Sequence, residues 1–212
     1  MRKDWWTPLT GVAFVVLAII GGAVQGEPPD VDENVQAIVD HYSGDKDSIM
    51  IGTLLIAWGL VAWLFFAGTV RRVLRAAEGD GHTLSLVAFG GAVILAIGGA
   101  IDGSITFALA ENADDIEPAG VQALAALWEN DFMPFILGIG TFMLATGLSI
   151  VRHGALPKWL GWAAIVLGVV AVTPIGFVAF LAGGVWVIAA SVILTLRARA
   201  EGAPPAAPAT AA

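Results

Sequence analysis

Asp102 is the ionisable side chain that this sequence places well inside an apolar segment. The segment, Leu84 to Ala110, contains no lysine or arginine and is long enough, as a helix, to cross a bilayer core of about 30 Å. If the helix leaves one interface near Leu86, a rise of about 1.5 Å per residue places Asp102 roughly 24 Å across that core, in its outer third. A carboxylate at such a depth is costly and often marks a functional site.

The residues around Asp102 predict that it faces a packed helix seam and not lipid. Gly99 and Gly103 have the G-x-x-x-G spacing that lets a second backbone approach closely, and Thr106 follows Asp102 by one helical turn. In one interpretation the carboxyl is purely structural and is satisfied by a hydroxyl or an indole N–H. The tryptophans deep enough in their spans to donate are Trp58, Trp63 and Trp186.

A second interpretation makes Asp102 part of a ligand or ion site. Thr106 would share its face of the helix, and Glu129 and Asp131, which precede the next span, would meet it at the outer surface. Carboxylates that share a partly dehydrated pocket repel one another, so such a site would hold a proton or a cation. The candidate site residues are therefore Asp102, Thr106, Glu129 and Asp131.

Other chemistry is not indicated by the sequence. There is no H-E-x-x-H, G-x-S-x-G or Walker loop, and the absence of cysteine excludes a thiolate nucleophile or metal ligand. The three histidines, His41, His82 and His153, fall in predicted loops, although His41 with Asp40, Asp45 and Asp47 could form an outer cation site. A charged loop in water explains these residues equally well, so we predict no catalytic residue, no cofactor and no metal site.

The composition indicates a polytopic membrane protein. Residues of the AVILMFWYC set make up 58% of the 212 residues and charged residues only 13%, against about 25% charged in soluble domains. The net charge of -8 argues against nucleic acid as a partner, because nucleic acid is bound by basic surfaces. The lipid bilayer is the partner that the composition implies, and a second copy or another membrane protein remains open.

The apolar segments predict an all-α bundle of six transmembrane helices within residues 1–199, followed by a disordered Ala/Pro-rich tail at 200–212. The predicted spans are 8–25, 49–70, 84–110, 132–151, 158–173 and 176–196. A cleaved signal peptide is the competing interpretation of the first span, but the apolar run is long and its end is a poor cleavage site. We therefore expect the first helix to be retained.

Basic residues predict the orientation of this bundle. With both termini inside, nine of the ten lysines and arginines lie at inner positions and only Lys46 lies outside, as the positive-inside rule requires. The inner set is Arg2, Lys3, Arg71, Arg72, Arg75, Arg152, Lys158, Arg197 and Arg199. The acidic residues are concentrated in the outer loops. The sequence thus predicts a multi-pass protein of the inner (plasma) membrane with cytoplasmic N- and C-termini.

The two long outer loops each contain a predicted amphipathic helix. Apolar residues recur at helical spacing from Val31 to Tyr42, and again from Val121 to Trp128 after Pro118. The second of these helices could continue into the fourth span, with Pro134 as a kink near the membrane surface.

Three stretches of the chain resemble a known family. They are the long acidic loop after the first helix, the basic segment R-R-V-L-R at Arg71 to Arg75, and A-L-P-K-W-L-G-W at Ala155 to Trp162. Together they are similar to small six-helix actinobacterial membrane proteins classified as a domain of unknown function. The resemblance implies a six-helix bundle in a bacterial inner membrane, and it brings no catalytic residue with it.

Three functional hypotheses follow. The first is an accessory, structural or stress-related membrane component whose polar residues serve packing and topology. The second is a bundle that binds or conducts a cation, a proton or a small lipophile through Asp102. The third, an intramembrane enzyme, is disfavoured because no set of nucleophile, base and metal ligand is present. A polar-lined cavity at Asp102 would favour the second hypothesis, and a dry seam the first.

Overall fold

The computed structural model describes residues 6–32, 34–81 and 83–202 of the chain, and every regular element in these ranges is a helix. Short 3₁₀ turns at Thr7–Leu9 and Gly79–Gly81 precede α1 and follow α3. The α-helices are α1 (Thr10–Gln25), α2 (Val35–Gly44), α3 (Lys46–Glu78), α4 (Thr83–Asn112), α5 (Pro118–Glu129), α6 (Met133–His153), α7 (Lys158–Ala171) and α8 (Gly176–Gly202).

The long apolar helices confirm a polytopic, all-helical membrane protein. Within the described residues, five segments are long and apolar enough to cross a membrane: Thr7–Gln25, Lys46–Gly81, Thr83–Asn112, Pro118–His153 and Gly176–Ala200. Helix α7 is apolar but has only 14 residues, or about 21 Å of helix, which is short for a full crossing. Helix α3 has 33 residues, so about 50 Å of helix extends well beyond a core of about 30 Å.

The helices pack in one bundle in which each long helix contacts its neighbours in a fixed order. Helix α1 lies along α3, α3 along α4, α4 along α6, α6 along α7 and α7 along α8. Helix α8 also contacts α6 near its beginning, through Phe180 and Phe135, and packs against α1. The centre is aromatic: the Trp63 and Phe142 ring centroids are 4.8 Å apart, and those of Phe142 and Trp186 are 6.0 Å apart. These edge-on contacts fix the helices around the middle of the bundle.

Glycines set the closest helix contacts. A Cβ built on Gly138 of α6 would lie 2.5 Å from the backbone nitrogen of Leu95 in α4, and one on Gly91 of α4 would lie 2.5 Å from that of Phe142. Gly21 and Gly52 bring α1 and α3 together in the same way. Small residues of this kind allow backbone-to-backbone packing where the hydrophobic effect between helices is absent.

The predicted seam at Gly99 and Gly103 forms against α3, but through side chains. A Cβ on Gly99 would meet the side chain of Leu60 at 2.7 Å, and one on Gly103 would meet the Thr53 methyl group at 3.4 Å. The closest backbone approach of α4 is made instead at Gly91, toward α6. The G-x-x-x-G spacing alone does not show which glycine makes the closest backbone contact, because the span is rich in glycine.

Helices α2 and α5 cover one end of the bundle, which we call the acidic face. Their apolar sides form a second hydrophobic cluster with the adjacent ends of α3 and α4, centred on Ile38, Tyr42, Leu109 and Val121. Asn34 caps α2, because its Oδ1 accepts a hydrogen bond from the Gln36 backbone N–H at 3.1 Å. Both amphipathic helices were predicted, but α2 starts four residues later than the predicted Val31.

The possible continuation of α5 into α6 is not formed. Residues 130–132 make a turn between the two helices, and Pro134 lies in the first turn of α6, where its missing N–H costs no helical hydrogen bond. Pro134 therefore starts a helix and does not kink one.

The opposite end of the bundle, the basic face, gathers the basic residues that follow the spans. Arg197 Nη1 at the end of α8 donates to the Ala155 carbonyl between α6 and α7 at 2.7 Å. The Glu78 carboxylate at the end of α3 accepts from Ser149 Oγ of α6 and, at 3.2 Å, from the Ser85 backbone N–H of α4. Helix α8 continues to Gly202, and the rest of the predicted tail lies outside the described residues.

Candidate ligand site at Asp102

Asp102 lies two thirds of the way along α4, half-buried, toward the end of the bundle that α2 and α5 cover. The buried hydroxyl of Thr106 donates to the backbone carbonyl of Asp102 at 3.0 Å. This i to i-4 bond satisfies the threonine within its own helix. Thr106 therefore lies beside Asp102, as predicted, but its hydroxyl does not bind the carboxylate.

Two side chains from other elements approach the Asp102 carboxylate. The indole N–H of Trp128, in α5, is directed at it, and Asp131, in the turn after α5, is close enough to repel it. Trp128 Nε1 and Asp131 Oδ2 are both buried and make no hydrogen bond of normal geometry within the described part of the chain. One unused donor and one unused acceptor thus lie beside the same carboxylate.

Tyr42 lies above this group in α2, outside the membrane-spanning segments. Its side chain is 3% exposed. Burial raises the pKa of Tyr42 to about 12, and the negative charge of Asp102 contributes to the increase. The phenol is therefore neutral across the physiological range.

A groove between α3 and α4 runs from the acidic face toward the middle of the bundle and includes Asp102 in its wall. Its volume is about 610 Å³. Near the acidic face it is lined by polar side chains, which include Gln25, Thr53, Asp102, Ser104 and Glu111, whereas its deeper wall is apolar, with Leu60, Val61, Leu64 and Ala96. The groove is open along its length to the surface of α3 and α4, since Val61 and Ala100 are exposed.

The polar end of the groove is partly organised by its own hydrogen bonds. Gln25 Nε2 donates to Thr53 Oγ1 at 2.8 Å, and that hydroxyl donates to the Ile49 carbonyl at 2.8 Å. Glu111 pairs with Lys46 at 3.5 Å. Asp102 has no such ion pair within the described residues, so it is the unneutralised carboxylate of the groove.

Not every predicted site residue lies near Asp102. Asp131 is beside it, but Glu129 is exposed at the end of α5 and makes no described contact with it. The proposed tryptophan donors are also used differently. Trp63 Nε1 donates to the Ala92 carbonyl and Trp186 Nε1 to the Leu160 carbonyl, both at 2.9 Å, while Trp58 is 66% exposed.

The sequence does not predict the part that Trp128, Tyr42, Gln25 and Thr53 have in the site. The sequence places Trp128 among the apolar residues of the predicted helix after Pro118, three residues before Asp131. Tyr42 lies close enough to be affected by the charge of Asp102 only because α2 folds over the bundle, and Gln25 lines the groove only because α1 ends beside α3. These approaches depend on tertiary packing, for which the local sequence has no signal.

The ionisable groups at the centre of this arrangement are two carboxylates, Asp102 and Asp131. Within the described residues there is no cluster of three or more histidine, aspartate or glutamate side chains that could hold a metal ion. Asp102 and Asp131 form a pair of carboxylates, which can hold one proton between them or accept hydrogen bonds from a positively charged or donor-bearing group.

The sequence comparisons extend over most of this architecture. Residues 1–180 match the family model described as the Yip1 domain, a range that includes α1 to α7 and ends within α8. No curated protein and no solved structure matches the chain.

Proposed function

Because this chain belongs to the Yip1 domain family of membrane proteins, we propose that it is a non-catalytic accessory component of the bacterial inner membrane. Because the groove between α3 and α4 is polar at one end and apolar at the other, we propose that it binds an amphipathic ligand. The groove is the observation that carries this proposal. Its polar wall lies at the headgroup end and its apolar wall at the acyl-chain end, which is the order of polarity in a lipid.

The charge of the groove selects the kind of headgroup. Asp102 is a carboxylate without an ion pair, and Ser104 lies two residues from it on α4, while Asn112 and the Glu111–Lys46 pair add hydrogen-bonding groups further toward the acidic face. An anionic headgroup would be repelled here, whereas a primary amine would supply both positive charge and N–H donors. The proposed ligand is therefore a phospholipid with an amine-bearing headgroup.

Titration of the purified protein with defined lipids tests the proposal. The thermal unfolding midpoint would be measured in neutral detergent against short-chain phosphatidylethanolamine, phosphatidylcholine and phosphatidylglycerol. We expect phosphatidylethanolamine to stabilise the wild type most. Asp102→Asn should weaken its apparent affinity by about 10- to 100-fold, because one charge-assisted hydrogen bond is worth about 1.5–3 kcal/mol.

Asp115→Asn is the matched control, because Asp115 is exposed on the acidic face outside the groove. It removes the same charge and should leave the lipid response unchanged. Identical titration curves for the wild type and Asp102→Asn would remove Asp102 as a binding residue and leave the alternative function, a structural or stress-related membrane component in which the groove is filled by bulk lipid.

A further inference from the structure

A second pocket lies at the other end of the molecule, on the basic face. It has a volume of about 420 Å³ and is lined by Gly68, Arg71, Arg72, Arg75, Ala76 and Gly79. A Cβ built on Gly68 or on Gly79 would meet no atom within 4 Å, so the glycine walls leave the pocket open beside the guanidinium groups. We call these three arginines and two glycines the arginine shelf.

Arg71 is held in place on the shelf by an aromatic ring. Its guanidinium carbon lies 5.5 Å from the centroid of the Phe89 ring in α4, a cation–π contact. Arg71 Nε is buried and has no hydrogen-bond partner within the described residues. The side chain is therefore oriented by packing, while part of its hydrogen-bonding capacity is unused.

Among the residues that the structure describes, no acidic side chain lines the shelf. Glu78, the nearest acid along α3, is directed to Ser149 and to the first turn of α4. Arg72 and Arg75 are exposed and form no ion pair with a described acidic residue. The shelf thus combines three positive charges with open space, and its arginines follow Val70, the last residue of the predicted apolar span.

We propose that the arginine shelf binds the phosphate of an anionic phospholipid in the leaflet at the basic face. Guanidinium groups suit this ligand because their N–H donors match two phosphate oxygens at once, and they remain charged at any physiological pH. Basic pockets at the cytoplasmic ends of membrane helices are a general means of binding such headgroups. The position of Arg71 against Phe89 separates this site from the general excess of positive charge on the same face.

The test compares two double variants that remove the same charge from the same face. Arg72→Gln/Arg75→Gln removes two shelf arginines, and Arg152→Gln/Lys158→Gln removes two exposed basic residues that lie outside the shelf. The thermal midpoint of the full chain in neutral detergent would be titrated with short-chain phosphatidylglycerol, with phosphatidylcholine and with inorganic phosphate. Each basic residue near a membrane surface contributes about fivefold to affinity, so the shelf variant should bind phosphatidylglycerol roughly 30-fold more weakly.

The control variant should retain the wild-type response, and the single variant Arg72→Gln should lose about fivefold. An equal loss in both double variants would overturn the proposal, because it would mean that only the net charge of the face matters. Equal responses to phosphatidylglycerol and phosphatidylcholine would also overturn it. A response to millimolar inorganic phosphate that matches the lipid response would identify a site for free phosphate and contradict a lipid site.

Discussion

At the scale of single residues, the Asp102 group is defined by what its members lack. Trp128 has an unused donor, Asp131 an unused acceptor, and Asp102 a charge without an ion pair. Groups of this kind are expensive to bury unless they gain a partner. Their positions allow the Trp128 N–H to pair with the Asp102 carboxylate, and they leave the remaining acceptors and charge available to a ligand in the adjoining groove.

A double-mutant cycle tests the pairing of Trp128 with Asp102. Trp128→Phe removes the indole N–H and keeps an aromatic ring, so its cost in the wild type should exceed its cost in Asp102→Asn by about 1 kcal/mol. The free energy of unfolding in mixed micelles is the measured quantity. Trp162→Phe, an exposed tryptophan of α7, is the control and should be additive with Asp102→Asn. Additivity for Trp128 as well would show that the two side chains are not coupled.

How far this site could be predicted depended on the range of the interactions. The depth of Asp102 and the side it shares with Thr106 follow from helix periodicity, which is local. The contribution of Trp128 required α5 to fold back over α4, and that of Gln25 required α1 to end beside Thr53. Those contacts join residues far apart in sequence, and a single sequence contains no measure of them.

At the scale of helices, the bundle is held together where glycine replaces a side chain. Gly138 and Gly91 bring the backbones of α6 and α4 into contact, and Gly147 and Gly161 do the same for α6 and α7. The predicted G-x-x-x-G pair at Gly99 lies against a flexible leucine and not against backbone. The loss of stability on replacing a glycine with a larger residue should therefore differ from one position to the next.

Three glycine-to-alanine variants form a graded series. Gly138→Ala places its Cβ 2.5 Å from the Leu95 backbone nitrogen and should destabilise the bundle by about 1–3 kcal/mol, whereas Gly99→Ala displaces only the Leu60 side chain and should cost less. Gly90→Ala meets no atom within 4 Å and should be neutral or stabilising, because alanine favours helix. Thermal stability in detergent gives the order, and a Gly138→Ala protein as stable as Gly90→Ala would contradict the close contact of α4 and α6.

Glu78 joins three helices at the basic face, beyond the apolar segment of α3. Burial alone would raise its pKa, but hydrogen bonds from Ser149 and Ser85 outweigh burial and lower the pKa below its usual value of 4.5. A lowered pKa in the folded state means that the charged form contributes stability above pH 4.5, and that this contribution is lost as the pH falls through the lower folded value.

Glu78→Gln should therefore be less stable than the wild type at neutral pH, by about 1 kcal/mol for the weakened hydrogen bonds. The difference should shrink on acidification below pH 4.5, because the wild-type carboxylate then becomes protonated. The pH dependence of the thermal midpoint measures this, with Asp80→Asn, an exposed neighbour, as the control. A stability difference that does not change with pH would contradict the role of the charged carboxylate.

At the scale of the whole molecule, the architecture was easier to predict than the ends of the helices. Fold class and approximate spans were predictable because long apolar segments leave a membrane helix as the only economical structure. The ends of the helices were less predictable: α3 runs from Lys46 to Glu78, beyond the predicted 49–70, because its polar ends can extend into water.

The two faces of the bundle differ in charge. The basic residues of α3, of the α6–α7 connection and of α8 gather at one end, whereas α2 and α5 carry acids at the other.

Single-cysteine labelling measures the proposed orientation. The chain contains no cysteine, so Asp80→Cys and Asp115→Cys can be compared without background. In intact cells an impermeant thiol reagent should label position 115, on the acidic face, and leave position 80, on the basic face, unlabelled. Both positions are exposed, so labelling after membrane disruption should be equal. Labelling of position 80 in intact cells would contradict the predicted orientation with both termini inside.

The occupancy of the α3–α4 groove tests the account most directly. Native mass spectrometry of the protein released from membranes of phosphatidylethanolamine and phosphatidylcholine counts the lipids of each class that stay bound. The wild type should retain one more phosphatidylethanolamine than Asp102→Asn, which lacks the carboxylate, and than Ala100→Leu, which fills the exposed wall of the groove. Equal numbers of bound phosphatidylethanolamine in all three proteins would contradict a lipid site at Asp102.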